Sequence, residues 1–186
     1  MRSEDKMSEA AGKRRCQDQV LAILCADIHL SMNPPAARRS EPDWFGAMGR
    51  TLNQIRRLAV DLGDVPVICA GDIFDRWNSP PELINFALRE LPSMYAVPGQ
   101  HDLPIHRVDL IGKSAFWTLV MAGKIIQLSP AGMNIGPLRV YGFGWNAGIE
   151  PPDFNYSGQK HLAVVHDFIW TAEYGYPGAP DTAKVK

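Results

Sequence analysis

Short apolar runs alternate with amphipathic stretches along most of this chain, and that alternation limits the possible folds more than any other feature. The first two runs, residues 20–25 and 65–70, are continuous and predict strands that are buried on both faces. Further strands are predicted at residues 93–97, 124–128, 138–141 and 161–165, and helices at residues 41–62, 79–91 and 114–121. Strands that alternate with helices are typical of an α/β fold with a largely parallel central sheet.

Two of the predicted helices carry capping residues at their ends. Ser40 is the expected N-cap of the first helix, and Gly63 is its expected stop. Ser79 and Glu82 form a capping box at the start of the second helix, with a proline at the first helical position. We therefore expect the first helix to begin after Ser40 and to end at Gly63, and the second helix to begin after Ser79.

Composition narrows the class of protein further. With 186 residues, of which 46% are hydrophobic, the chain can bury one core, so we expect one domain at residues 20–186 after a charged, disordered leader at residues 1–19. No apolar run approaches the roughly 18 residues of a membrane span. A net charge of −1 gives no bulk attraction to a membrane or a nucleic acid. Three cysteines without a CxxC pair favour a reduced, cytoplasmic setting.

Four of the predicted strands are followed by polar side chains that suit metal binding. Because the carboxyl ends of parallel strands lie at one edge of a sheet, we expect these side chains to converge. Imidazole and carboxylate ligands together suit Mn, Fe or Zn. The residues are Asp27 and His29 after the first strand, Asp72 after the second, Gln100, His101 and Asp102 after the third, and His166 after the last.

A pair of divalent ions is the centre that this set of residues predicts. Asp27 and His29 can bind one ion, and the two oxygens of Asp72 can bridge to another. His166 and the amide oxygen of Gln100 can complete the second site. Two such ions hold a phosphate and activate a water for in-line attack.

The same residues resemble, in the same order, the motifs of the calcineurin-like metallophosphoesterase superfamily. The resemblance covers residues 20–180 and implies a layered α/β/β/α sandwich. Residues 70–75 are most similar to SbcD-type DNA-repair nucleases and their phage-type relatives. The implied activity is therefore hydrolysis of phosphodiester bonds, with DNA as the substrate, by two metal ions of which Mn is the first choice. The matching motifs are Asp27-x-His29, Gly71-Asp72, Gly99-Gln100-His101-Asp102 and a later His166.

The resemblance also implies a role for each residue. The first ion is implied to be bound by Asp27 and His29, the second by Gln100 and His166, with Asp72 as the bridge between the two ions.

The resemblance implies that catalysis depends on His101 and Asp102. His101 is implied to contact the scissile phosphate and to protonate the leaving oxygen or stabilise the transition state, and Asp102 is implied to fix the orientation of His101. Arg76 follows the Asp72 loop and is a candidate contact for the substrate phosphate. The implied partners are a nucleic acid or another phosphodiester, a second copy of the chain and an ATPase, and no membrane.

Two features depart from the family pattern. Gln100 stands where the family has Asn, and its extra methylene displaces the amide oxygen. The later GHxH block of the family is absent after Trp170, so we expect the fold to be C-terminally incomplete, with weaker metal binding. Two other functions stay open: a catalytically impaired scaffold or nucleic-acid-binding remnant, and a small-substrate phosphatase.

Overall fold

The computed structural model describes residues 19–149 and 158–168, and its elements follow the predicted order. The predicted leader, apart from Gln19, lies outside the described residues. The α-helices are α1 (Trp44–Asp61), α2 (Pro81–Glu90) and α3 (Ala115–Met121). The strands are β1 (Ile23–Cys25), β2 (Val67–Cys69), β3 (Met94–Ala96), β4 (Ile125–Gln127), β5 (Met133–Ile135), β6 (Leu138–Phe143) and β7 (Lys160–Val165). Short 3-10 helices cover Ala36–Arg38, Gln100–Asp102, Pro104–His106 and Val108–Lys113.

The strands form two sheets. The first has the order β1-β2-β3-β4, and all its neighbouring strands are parallel. This confirms the predicted parallel sheet and places the carboxyl ends of these strands at one edge. The second sheet has the order β5-β6-β7, in which β6 is antiparallel to β5 and parallel to β7.

Two cores hold the layers together. The first core lies between the helices and one face of the first sheet, and it includes Leu52, Phe86 and Phe116 from the three helices. The second core lies between the sheets, where Ile68 of β2 packs in one cluster with Val140 of β6. The fold is mixed α/β, as predicted, and helices, first sheet and second sheet form three layers within residues 19–149 and 158–168. None of the described helices is long and apolar enough to cross a membrane.

β1 differs from its prediction. Within residues 19–149 and 158–168 it is an edge strand, and Leu24 at its centre is 62% exposed, so the expectation of a strand buried on both faces is wrong. Ile23 and Cys25 pack against the first core, whereas Leu24 points to the opposite face of the sheet. The continuous apolar run predicts a strand correctly, but it does not reveal that this strand lies at an edge.

The structure also differs from the predictions at β5 and at the starts of two helices. β5 pairs with β6 through Ile135 and Leu138, so the two residues between them form a tight hairpin turn with Gly136 at a φ of 55°. The Gly-Pro pair in this turn is the sequence signal for the strand that was missed. Asp43, and not Ser40, caps α1, because its side chain accepts a hydrogen bond from the Gly46 backbone N–H.

The predicted capping box at the start of α2 is also corrected. The helix begins at Pro81, and no side chain caps it. The hydroxyl of Ser79 donates instead to the carbonyl of Arg76, 2.8 Å away, in the loop before the helix. Only the prediction of a proline at the first helical position holds.

Asp102 connects the loops that follow β2 and β3. Its side chain is fully buried, and Oδ2 accepts hydrogen bonds from the backbone N–H groups of Gly99 and Ile73, while Oδ1 accepts one from Phe74. Burial raises the pKa of Asp102 to about 6, and the three N–H donors oppose that shift. The expected pairing with His101 is corrected, because the hydrogen bonds of Asp102 go to backbone N–H groups and Nδ1 of His101 bonds to the carbonyl of Asp75. Asp102 therefore stabilises the loops and does not hold the histidine ring.

We predict that Asp102→Asn destabilises the fold. The substitution places an NH₂ group opposite one of the backbone N–H donors, so at least one buried donor loses its acceptor. The free energy of unfolding should fall by about 1–3 kcal/mol, measured by urea denaturation followed by circular dichroism. Asp109→Asn, at an exposed carboxylate paired with Arg107, is the matched control and should change little. Equal urea midpoints for the two variants would contradict the assigned role of Asp102.

Candidate metal centre

The loops after β1 and β2 run side by side beyond the strands. The backbone N–H of Asp27 donates to the carbonyl of Gly71, and that of His29 donates to the carbonyl of Asp72, both at 3.0 Å. The N–H of Leu30 donates to the carbonyl of Ile73 at 2.9 Å. These bonds continue the parallel pairing of the two strands and bring the side chains that follow β1 next to Asp72.

Three of the candidate ligands have a left-handed backbone. Asp27, His29 and Asp72 have φ values of 53°, 47° and 53°. Non-glycine residues adopt this conformation at a cost, of order 1–3 kcal/mol each, and such strain is concentrated at functional sites. The bends turn the side chains toward one another, so that Nε2 of His29 lies 3.7 Å from a carboxylate oxygen of Asp27 and 3.7 Å from one of Asp72.

Two groups of side chains can each hold a metal ion. His29, Asp72 and His101 form one group, and Asp27, Asp72 and His166 form the other, with the donor atoms of each group within 4.8 Å of one another. Asp72 belongs to both groups, which is the arrangement expected of a bridging carboxylate. The two residues expected to share the first ion also lie together, with Nε2 of His29 3.7 Å from Oδ1 of Asp27.

The contacts of Asp72 keep its buried carboxylate ionised. Only 1% of the residue is exposed, and its Oδ1 accepts a hydrogen bond of 2.9 Å from the backbone N–H of His101. Burial by itself raises the pKa of Asp72, but the contacts with His166 and with the His101 N–H outweigh it, so the pKa lies below the usual value. The side chain is therefore ionised and can offer both oxygens.

The histidine tautomers leave one lone pair on each ring for the centre. Because a carbonyl only accepts hydrogen bonds, Nδ1–H of His166 donates to Ala70, and Nδ1–H of His101 donates to Asp75 at 2.9 Å. Nε2 of each ring is then free of a structural hydrogen bond to the backbone. A backbone partner at Nδ1 is the usual way in which a protein orients a metal-binding histidine.

The surroundings of His166 Nε2 fit a cation. This nitrogen lies 2.9 Å from Oε1 of Gln100 and 3.4 Å from Oδ2 of Asp72. With Nδ1 protonated, three lone-pair donors face one another, and a proton or a metal ion must lie among them. Burial disfavours the charged form of His166, yet its hydrogen bonds to Asp72 and Ala70 raise its pKa overall, as the proton-filled form of such a site requires.

Gln100 therefore lies where the sequence analysis expected a metal ligand. Its longer side chain extends from the 3-10 helix that begins the loop after β3, and its amide oxygen reaches the ring of His166. The extra methylene is accommodated by this loop conformation.

Asp75 contacts two of the candidate residues, although the sequence did not single it out. Its backbone carbonyl orients His101, and its carboxylate lies 3.9 Å from Nδ1 of His29.

Arg76, the candidate substrate contact, does not belong to either donor group. Its side chain is 80% exposed, and its Nε lies 3.8 Å from the Asp75 carboxylate. Both residues line a cavity of about 420 Å³ beside the centre, together with Asn33 and Asn78.

Two glycines make room for the ligands. Gly71 has a φ of 99°, and a Cβ placed on it would lie 2.6 Å from Nδ1 of His166. A Cβ on Gly99 would overlap the carboxylate of Asp72. The close approach of ligand and backbone at these turns therefore requires glycine.

We predict that Gly99→Ala impairs metal binding, because the new methyl group displaces the shared carboxylate of Asp72. The affinity for Mn²⁺ should fall at least tenfold, measured by isothermal titration calorimetry. Gly112→Ala is the matched control, since Gly112 has open space around it and an ordinary φ. Unchanged Mn²⁺ affinity in the Gly99 variant would show that the carboxylate of Asp72 does not hold the metal in this position.

Comparison with known proteins identifies the family. The family model for calcineurin-like phosphoesterases matches residues 22–167, which include every candidate ligand. No curated protein is significantly similar to the chain. The match covers most of the chain and contains all the residues of the two donor groups. The chain belongs to the calcineurin-like phosphoesterase family.

Proposed function

We propose that this protein hydrolyses phosphodiester bonds, with DNA as the substrate, at a centre of two divalent ions. The family supports metal-dependent hydrolysis of phosphoesters in general. The observation that supports two ions is the position of Asp72, whose carboxylate is shared by two groups of donors, and the choice of DNA rests on the resemblance of residues 70–75. A shared carboxylate suits a pair of ions better than a single one.

The two ions have a consistent set of ligands in this proposal. His29 and Asp27, whose Nε2 and Oδ1 lie 3.7 Å apart, would hold the first ion beside the bridging Asp72, and His166 with Gln100 would complete the second position. The mixture of imidazole, carboxylate and amide donors suits Mn²⁺, with Fe or Zn as the other choices. When bound, the ions would clamp the phosphate and lower the pKa of a water.

His101 is the proposed general acid. Its Nδ1–H is held by the carbonyl of Asp75, so the protonated ring has Nε2–H as its remaining donor. His29 lies beside it with the ring centroids 5.0 Å apart, and His101 is itself a member of the first donor group, so it lies next to the phosphate that the ions would hold. From this position His101 can protonate the leaving oxygen, and the buried Asp102 helps by fixing the loop that carries it.

We predict that the protein with Mn²⁺ hydrolyses bis(p-nitrophenyl) phosphate and that His101→Ala lowers kcat at least 100-fold. The Mn²⁺ content of the variant, measured by mass spectrometry of the purified holoprotein, should equal that of the wild type. Loss of Mn²⁺ together with activity would contradict the acid role and make His101 a ligand.

The same assay separates the other functions. Rates on a phosphomonoester, a cyclic diester and single-stranded DNA are to be compared under identical conditions. A preference for the monoester would favour a small-substrate phosphatase. Binding of DNA with no hydrolysis of any substrate would favour a nucleic-acid-binding remnant.

Arg76 is the proposed contact for a phosphate of the substrate. It lines the cavity beside Asp75, on the side of the centre where His101 lies. An exposed guanidinium presents several N–H donors to phosphate oxygens. This position suits the part of the substrate that leaves with the protonated oxygen.

We predict that Arg76→Ala raises KM for single-stranded DNA about tenfold, since a hydrogen bond between charged groups contributes about 1.5–3 kcal/mol. The value of kcat should change little, because the ligands and His101 are intact. Arg57→Ala, at an exposed arginine of α1, is the control. Steady-state kinetics in which both variants keep the wild-type KM would remove Arg76 from the substrate site.

A further inference from the structure

We propose that Cys25 and Cys69 form a redox-modification site, at which a small disulfide compound converts the two thiols into a disulfide bond that weakens metal binding. Each cysteine is the last residue of its strand, Cys25 of β1 and Cys69 of β2. The ligands Asp27 and Asp72 lie in the loops that follow these strands. A bond at this place links the two loops and acts on metal binding, whatever the substrate of the centre is.

The register of the first sheet places the two cysteines opposite each other. Cys25 is the partner of Cys69 in the parallel pair of β1 and β2, and both side chains pack in the first core, on the same face of the sheet. Neighbouring strands lie about 4.7–4.9 Å apart, and a disulfide usually joins Cα atoms about 4.4–6.8 Å apart. The spacing of the strands therefore allows the bond, near the short end of the usual range.

The two side chains are free thiols that interact directly with each other. The Sγ of Cys69 also donates to the carbonyl of Gly71 at 3.6 Å, and the Sγ of Cys25 donates to the carbonyl of Ile68 at 3.7 Å. Sulfur is a weak donor, so both of these hydrogen bonds are easily given up. A small rotation of the two side chains then brings the sulfur atoms to bonding distance.

Exposure decides which thiol reacts first. Cys69 is fully buried, whereas Cys25 is half-buried on β1, which has one neighbouring strand within the described residues. The thiolate of Cys25 attacks one sulfur of the compound RSSR and releases one RSH. The thiolate of Cys69 then attacks the sulfur of Cys25 and releases the second RSH. Two protein thiols are oxidised, one RSSR is reduced to two RSH, and the two protons of the protein thiols end on the two released thiols.

The bond changes the contacts of the loops that carry the ligands. In the reduced form the carbonyl of Gly71 accepts hydrogen bonds from the Sγ of Cys69 and from the backbone N–H of Asp27. The oxidised Cys69 has no S–H, and its sulfur is drawn toward β1. Asp27 and Asp72 follow closely in the chain and have a left-handed backbone, so this movement reaches them. Changes just outside the ligands typically cost about 10–100-fold in metal affinity, and we expect a loss of about tenfold for Mn²⁺.

The first experiment tests the disulfide itself. It uses the full chain with Cys16→Ser, so that Cys25 and Cys69 are its only cysteines. The folded, reduced protein is treated with cystamine, then denatured and alkylated with iodoacetamide, and its intact mass is measured. We expect the loss of two hydrogen atoms and no alkylation, and two alkylated cysteines when dithiothreitol is added before denaturation. Two alkylated cysteines without dithiothreitol, or a mixed disulfide with cysteamine as the final product, overturn the proposal.

The second experiment tests the effect on the centre. Isothermal titration calorimetry measures the Mn²⁺ affinity of the oxidised and the reduced Cys16→Ser protein after cystamine has been removed. The oxidised form should bind Mn²⁺ about tenfold more weakly. The matched control adds Cys25→Ala and receives the same treatment, after which its Mn²⁺ affinity should be the same as before. Equal affinities of the oxidised and reduced forms overturn the effect on metal binding, and so does an equal loss in the control.

The reverse effect gives a check that does not depend on activity. If Mn²⁺ binds the reduced form about tenfold more tightly, saturating Mn²⁺ must raise the midpoint potential of the disulfide by about 30 mV. Equilibration with mixtures of reduced and oxidised glutathione, followed by the same alkylation, measures this potential. A midpoint that Mn²⁺ does not change overturns the effect on metal binding. If the reduced protein binds no Mn²⁺, that effect and the metal centre are both wrong, whereas the first experiment still decides the disulfide.

Discussion

The buried carboxylate of Asp72 is the group on which the rest of the centre depends. A charge in this position is stable only when hydrogen bonds or opposite charges surround it. The backbone N–H of His101 and the rings of His29 and His166 provide part of that environment. Gly99 follows from the same constraint, since any side chain there would take the space of the carboxylate.

A second buried carboxylate has a different task at the same sheet edge. Asp102 accepts three backbone hydrogen bonds and is fully buried, whereas Asp72 accepts one from the backbone and faces the histidines. The two side chains belong to neighbouring loops, so the hydrogen bonds of Asp102 fix the loop conformation that positions Asp72. Rigid support of this kind keeps ligands near their productive positions before any ion binds.

The convergence of the ligands was predictable only in part, because His166 follows β7 of the second sheet and its place beside Gln100 and Asp72 depends on how the two sheets pack. Parallel strands end at one edge, so residues that follow β1, β2 and β3 meet there whatever the details of packing. The role of Asp102 was not predictable, because it depends on which backbone N–H groups two loops present to it. The contact from Asp75 to His101 uses a backbone carbonyl, which every residue has, so no side chain signals it. The exposure of Leu24 depends on how far the second sheet extends.

The position of β1 at the sheet edge has a consequence for how the protein must be made. Within the described residues β1 has one strand neighbour, so its other side presents unpaired backbone groups beside the apolar side chain of Leu24. Such an edge is a template for a strand of another chain, most of all at the concentrations reached during synthesis or refolding. The strand that delivers Asp27 and His29 is thus also an edge with which a strand of another chain can pair. A chaperone that covers this edge and the metal ions that bind beyond it would then act on the same short segment of the chain.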